Sequence, residues 1–261
     1  MKKIVLSVLI IISFCFAQTG NENNDFSYAL KLYDQKFYDL AAGQFEKFYR
    51  TYPDNSKAPE ARFLAGMSHY NIKEYDKARI EFQALAIQFP KDQKAAEGWY
   101  RAGECSKLTG SRQDAVKSYE TIRLLYPQSP FAAKGLYEAG LIYLEDGEYS
   151  KAYRDFSIVL DRFRNSPVYF ASQVSAGHCL LKQNDVEKAK IYAGLVLESQ
   201  ADKAVKADAL LLMALINETQ GYISDALKNY DKIIQDHSKT KYFSRAVLNT
   251  SRLLMQKSDY D

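Results

Sequence analysis

The side chains best suited to chemistry in this sequence are His69, His178 and His237, Cys15, Cys105 and Cys179, and scattered carboxylates such as Glu81 and Asp155. A hydrolytic metal centre would need two histidines one helical turn apart, as in His-x-x-x-His, because that spacing puts both ring nitrogens on one face. No such pair occurs, and the three histidines read as packing or solvent-facing residues. The glycines are dispersed rather than clustered, so no loop is built to cradle a phosphate. The carboxylates read as solvated helix faces. The sequence therefore predicts no catalytic residue, no metal, no cofactor, no small-molecule substrate and no enzyme.

What orders these residues is a repeat. Six alanines, Ala41, Ala78, Ala115, Ala152, Ala189 and Ala226, stand at a constant interval of 37 residues. Their flanks repeat with them. Four residues after each come Phe45, Phe82, Tyr119, Phe156, Ala193 and Tyr230. Twelve before each come Ala29, Gly66, Gly103, Gly140, Gly177 and Ala214, all small. Twelve after come Pro53, Pro90 and Pro127, then Arg164, Ala201 and Ser238.

Each unit carries two stretches with apolar residues at helical spacing. In the third unit the spacing predicts helices over about Ala95–Leu108 and Arg112–Leu125. Gly110, Gly147, Asn184 and Gly221 fall between the two stretches, where a helix end adopts a left-handed conformation. Pro53, Pro90 and Pro127 close the second helix. The recurring small residues let the paired helices approach, and the recurring rings fill the space beside them. One pair cannot bury both of its faces, so pairs must stack. Cys105 and Cys179 occupy equivalent sites two units apart, beyond disulfide reach. Both are expected as buried free thiols.

This pattern resembles the tetratricopeptide repeat. Trp99, Gly103, Ala115, Tyr119 and Pro127 match its marker positions one by one, and the likeness runs from Phe26 to the C-terminus. The usual period is about 34 residues. The extra length here lies in the loop Pro53-Asp54-Asn55-Ser56-Lys57-Ala58-Pro59. That loop is similar to a bacterial envelope subgroup that includes the Tol–Pal coordinator and the lipoprotein of the outer-membrane β-barrel assembly machine. The resemblance implies an all-α, right-handed α-solenoid of helix–turn–helix repeats, with six helix pairs plus a terminal helix over residues 25–261. Asp259-Tyr260-Asp261 matches the turn Glu74-Tyr75-Asp76 before a second helix, so either the last helix is a cap or, the reading slightly favoured, the natural chain is longer.

The first residues form a separate object. Lys2-Lys3, the apolar run Ile4–Phe16 and the small Ala17 follow the order of a secretory signal peptide cleaved after Ala17. Residues 1–17 are thus assigned to the signal and 18–24 to a polar linker. A lipid on Cys15 is disfavoured, because Phe14 is bulky where lipoprotein signals place a small residue. The expected location is the periplasm. Net charge is +3, with both signs interspersed, and gives no electrostatic footprint for nucleic acid or an anionic membrane.

In tetratricopeptide proteins the first helix of each unit lines the inner wall. The resemblance therefore implies a concave partner-binding face at Phe26, Tyr33, Phe63, Met67, Tyr70, Tyr100, Tyr137 and Leu141. Aromatic residues anchor interfaces well when partly exposed. A stripe at helical spacing is equally compatible with core. One cytoplasmic subclass grips C-terminal carboxylates with Lys and Asn; the stripe positions here are apolar or acidic, which argues against that mode. The function read from the sequence is a periplasmic scaffold binding protein partners in envelope biogenesis or maintenance. The alternative is the repeat region of a longer exported protein, either a superhelical cell-wall enzyme or a self-associating structural protein.

Overall fold

The computed structural model describes residues 22–258. Among them are thirteen helices and no strand. The signal peptide expected over 1–17 lies outside the described residues, as do Cys15 and Asp259-Tyr260-Asp261. Helix α1 covers residues 22–34, so the stretch expected as linker over 18–24 is already helical in its last three residues. Two compact units follow one another, Met1–Ala132 and Ala133–Asp261.

The first unit contains α1, α2 (Tyr38–Thr51), α3 (Ala58–Asn71), α4 (Tyr75–Gln88), α5 (Ala95–Leu108) and α6 (Arg112–Leu125). Helix α7 (Pro130–Glu145) starts in its last residues. The second unit continues with α8 (Tyr149–Arg162), α9 (Tyr169–Lys182), α10 (Val186–Glu198), α11 (Lys203–Thr219), α12 (Ile223–Asp236) and α13 (Phe243–Ser258). Helices α2, α4 and α6 stop two residues before Pro53, Pro90 and Pro127, since the residue before a proline is pushed out of the helical region.

The turns inside the pairs share one device. Lys36, Lys73 and Asn184 have φ of 64°, and Gly110, Gly147 and Gly221 have φ of 78° or 79°. All six stand at one repeat position, so the left-handed helix end is imposed even where the residue is lysine.

The recurring small residues sit directly under the rings. A Cβ at Gly66 would lie 2.7 Å from Phe82 Cε1, at Gly103 2.4 Å from Tyr119 Cε1, and at Gly140 2.6 Å from Phe156 Cε1. Ala41, Ala78, Ala115, Ala152, Ala189 and Ala226 are all fully buried. The fifth pair departs from this plan. Ala193 replaces the ring, and the space over Gly177 is taken by Leu212 from α11, whose Cδ2 would be 2.5 Å from a Cβ there. With no proline to follow it, α10 ends at Glu198, and α11 starts afresh with Asp202 accepting a hydrogen bond from the Val205 N–H.

Two expectations are corrected here. Glu81 and Asp155 are not solvated: they are 8% and 1% exposed. Glu81 accepts a hydrogen bond from the Tyr49 hydroxyl at 3.0 Å and pairs with Arg62 at 3.3 Å, while the Arg62 guanidinium lies 3.9 Å from the Tyr49 ring centre. Asp155 pairs with Arg154 at 2.8 Å. Buried carboxylates persist only when so partnered. Cys105 and Cys179 are buried free thiols, and burial pushes both up to about 12.

Candidate functional site

The stripe of the first helices divides into core residues and half-buried ones. Each of its main rings packs on the second helix of its own pair: Phe26 on Phe45 at 5.8 Å, Phe63 on Phe82 at 5.6 Å, Tyr100 on Tyr119 at 5.7 Å and Tyr137 on Phe156 at 5.9 Å. Phe26 and Phe63 are only 5% and 7% exposed. The ammonium groups of Lys57 and Lys94 lie over their faces, 5.0 and 4.4 Å from the ring centres. At the equivalent place Phe131 packs, tilted, against Tyr100 at 5.5 Å. Phe26 and Phe63 are therefore core, and a partner could reach them only by unpacking the pair. This corrects the expectation that they line a binding face.

Tyr33, Met67, Tyr70, Tyr100, Tyr137 and Leu141 are half-buried. In the first unit Tyr33 and Tyr70 pack edge-on against Tyr38 and Tyr75. Burial raises the Tyr33 hydroxyl, and a hydrogen bond with Asn71 opposes the rise. Arg101 holds Glu104 at 2.8 Å and Glu97 at 3.4 Å. His69 is not a ligand but a clasp: Nδ1 meets Glu74 at 2.7 Å and Nε2 meets Glu46 at 2.9 Å.

The second unit holds a groove of about 630 Å³ lined by first helices α7, α9, α11 and α13. Its apolar floor comes from Leu141, Leu144, Leu181 and Leu215 with the ring of Tyr137. A polar chain crosses it. His178 Nε2 lies 3.0 Å from Asp208 Oδ1, and Tyr242 hydrogen-bonds to the same carboxylate. Tyr137 bonds to Ser175. Burial, seconded by the nearby Asp208 charge, pushes the Tyr137 hydroxyl up to about 12 and raises Tyr242 as well. Lys182, Lys241 and Arg245 stand on the rim.

Of the stripe, the structure brings Tyr137 and Leu141 into this groove. Sequence reasoning missed Ser175, His178, Lys182, Asp208, Lys241, Tyr242 and Arg245. A signal existed: His178 stands 37 residues after Leu141 and 37 before Leu215, so register alone places it on the same wall. A search restricted to apolar side chains passes over it.

Among the described residues no group of His, Cys, Asp and Glu could hold a metal ion. A lined groove on stacked first helices marks a helical-repeat binding scaffold. Tetratricopeptide repeat profiles match residues 29–93 and 137–204, more than half of the chain, and also 97–129. The chain belongs to the tetratricopeptide repeat family, whose members bind protein partners. No curated protein matches it in sequence. Among solved structures it is similar to PilW, a type IV pilus biogenesis factor, at 16% identity and a TM-score of 0.57, over 87% of this chain and 98% of that one. Pseudomonas aeruginosa pilF is similar at 15% identity and a TM-score of 0.57, over 82% and 90%. A Parabacteroides merdae tetratricopeptide repeat protein is similar at 14% identity and a TM-score of 0.56, over 90% and 98%. At these identities the likeness is one of fold.

Proposed function

We propose that this chain is an exported scaffold that docks protein partners of the cell envelope, with the groove of the second unit as its working surface. The observation that carries the reading is the groove itself. It combines an apolar floor, tyrosine hydroxyls and charged rim groups, the mixture that recognises a peptide surface. Export is supported by the order of Lys2-Lys3, the apolar run Ile4–Phe16 and Ala17. An envelope role agrees with the Tyr-Pro loop pattern and with structural neighbours such as PilW, described as a pilus biogenesis factor. The work is adaptor work in outer-membrane biogenesis or maintenance rather than catalysis.

Fractionation of the native host with mass spectrometry of the purified protein tests the location. A chain beginning at Gln18 in the periplasmic fraction is expected. A chain retaining residues 1–17 in the cytoplasm would overturn export.

A further inference from the structure

We infer that the groove of the second unit takes an extended peptide segment carrying at least two acidic side chains that flank apolar ones. This rests on the reading of that groove as the interaction surface. The groove's own charges are unequally available. Asp208 is engaged by His178 and Tyr242. Glu218 is engaged by Tyr230 and Arg252. Glu145, the third carboxylate of the lining, also has a partner. On the positive side, Lys182 and Arg245 have no ion-pair partner among the described residues, and Lys241 only leans on the Tyr242 ring at 5.2 Å. Three exposed cations therefore face the opening while its carboxylates are already satisfied.

Their placement sets the spacing of what they bind. Lys182 closes α9, whereas Lys241 precedes α13 and Arg245 lies in its first turn. Successive first helices run in the same direction, because each is followed by an antiparallel partner. Lys182 and the Lys241–Arg245 pair thus lie at opposite ends of the groove: Arg245 repeats the position of Ala171, about 16 Å along the helix axis from Lys182, and α9 and α13 are also two repeats apart, so the span is about 25 Å. A single terminal carboxylate cannot meet both edges. An extended chain covers that distance in about seven or eight residues. Acidic side chains near both ends would reach the cations, and apolar side chains between them would fall on Leu144, Leu181 and Leu215.

The test is selection of a random dodecapeptide library, displayed without a free C-terminus, against the full chain. Enriched peptides are then synthesised and titrated by fluorescence anisotropy. The expected peptides carry separated Asp or Glu residues around Leu or aromatic ones. Their binding weakens roughly tenfold in a Lys182→Glu, Arg245→Glu double variant and several-fold on raising salt. Lys190→Glu, outside the groove, leaves it unchanged. All three positions are exposed, and circular dichroism checks that the variants fold. Enrichment of neutral or basic peptides, or acidic peptides indifferent to the double variant, overturns the inference while leaving the groove open as a docking surface for other segments. Enrichment only from a parallel library displayed with a free C-terminus overturns it in favour of terminal carboxylate capture. No enriched peptide at all overturns it; if the chain also crosslinks to no partner from the groove, the scaffold reading falls as well.

Discussion

Substituting alanine for Gly103 should destabilise the protein, although alanine is the better helix former. The added Cβ would stand 2.4 Å from Tyr119 Cε1 and 2.7 Å from Cζ. Carbon atoms rest about 3.5–4.0 Å apart, so the ring must retreat by about 1 Å. Tyr119 is 1% exposed and packs on Tyr100, which leaves it no free direction. Overpacking of this kind costs ~1–3 kcal/mol, and the helix gains back ~1 kcal/mol from the loss of glycine. The net loss is up to ~2 kcal/mol. Gly43 is the control, since it lies in α2 with nothing within 4 Å of its Cβ direction. There the same substitution should gain ~1 kcal/mol. Urea unfolding followed by far-UV circular dichroism should therefore move the two midpoints in opposite directions. Equal shifts of the same sign would refute the claim that the repeating glycines are seats for the rings. Gly177→Ala should cost less than Gly103→Ala, because the obstacle is a Leu212 methyl that can rotate away.

Lys73→Gly should raise the unfolding free energy by up to ~1 kcal/mol, because it removes a side chain from a left-handed turn; a lower urea midpoint would show that the turn is not strained. Cys105 and Cys179 should resist a thiol reagent at neutral pH in the folded chain and both react in denaturant, since burial leaves little thiolate; fast labelling in the fold would contradict their placement. Arg62→Ala should cost ~3 kcal/mol at neutral pH by stranding Glu81, the low end of the range for a broken buried pair because both side chains keep some exposure. Burial already holds the Glu81 carboxyl above its ordinary value, against the pull of Arg62. Its charged form therefore opposes folding, and the deficit of the variant should shrink as pH falls towards the unfolded value near ~4.3. A deficit that stays constant with pH would show that Arg62 acts through packing alone. The exposed side chains Val247, Leu248, Leu254 and Met255 on α13 favour self-association, which sedimentation velocity across concentrations would reveal; a monomer throughout would dismiss it.

The helices were legible because one interval organises everything. The third pair runs over Ala95–Leu108 and Arg112–Leu125, as its spacing predicts, and Pro53, Pro90 and Pro127 mark real helix ends. The turn position was legible only where glycine or asparagine advertised it. Lys36 and Lys73 adopt the same geometry without a compositional signal, because tertiary packing overrides the local preference. The face of the first helices was half legible. Recurring rings such as Phe63 belong to a position that packs inward, and periodicity alone does not separate an inner wall from a core. The groove was least legible, because it is built where the repeats differ. His178 interrupts a mostly apolar repeat position, whereas Asp208 and Arg245 share one mostly polar position with Glu60, Glu97 and Lys134, so a search for recurring apolar rings passes over all three.

The most direct measurement places a photoreactive amino acid at Leu144, in the groove, and in a second protein at Lys190, away from it. Each is expressed in the native host and illuminated. A defined envelope protein crosslinked from position 144 and not from 190 is the predicted result. The same partners from both positions, or none from 144, would contradict the assignment of this groove as the working surface.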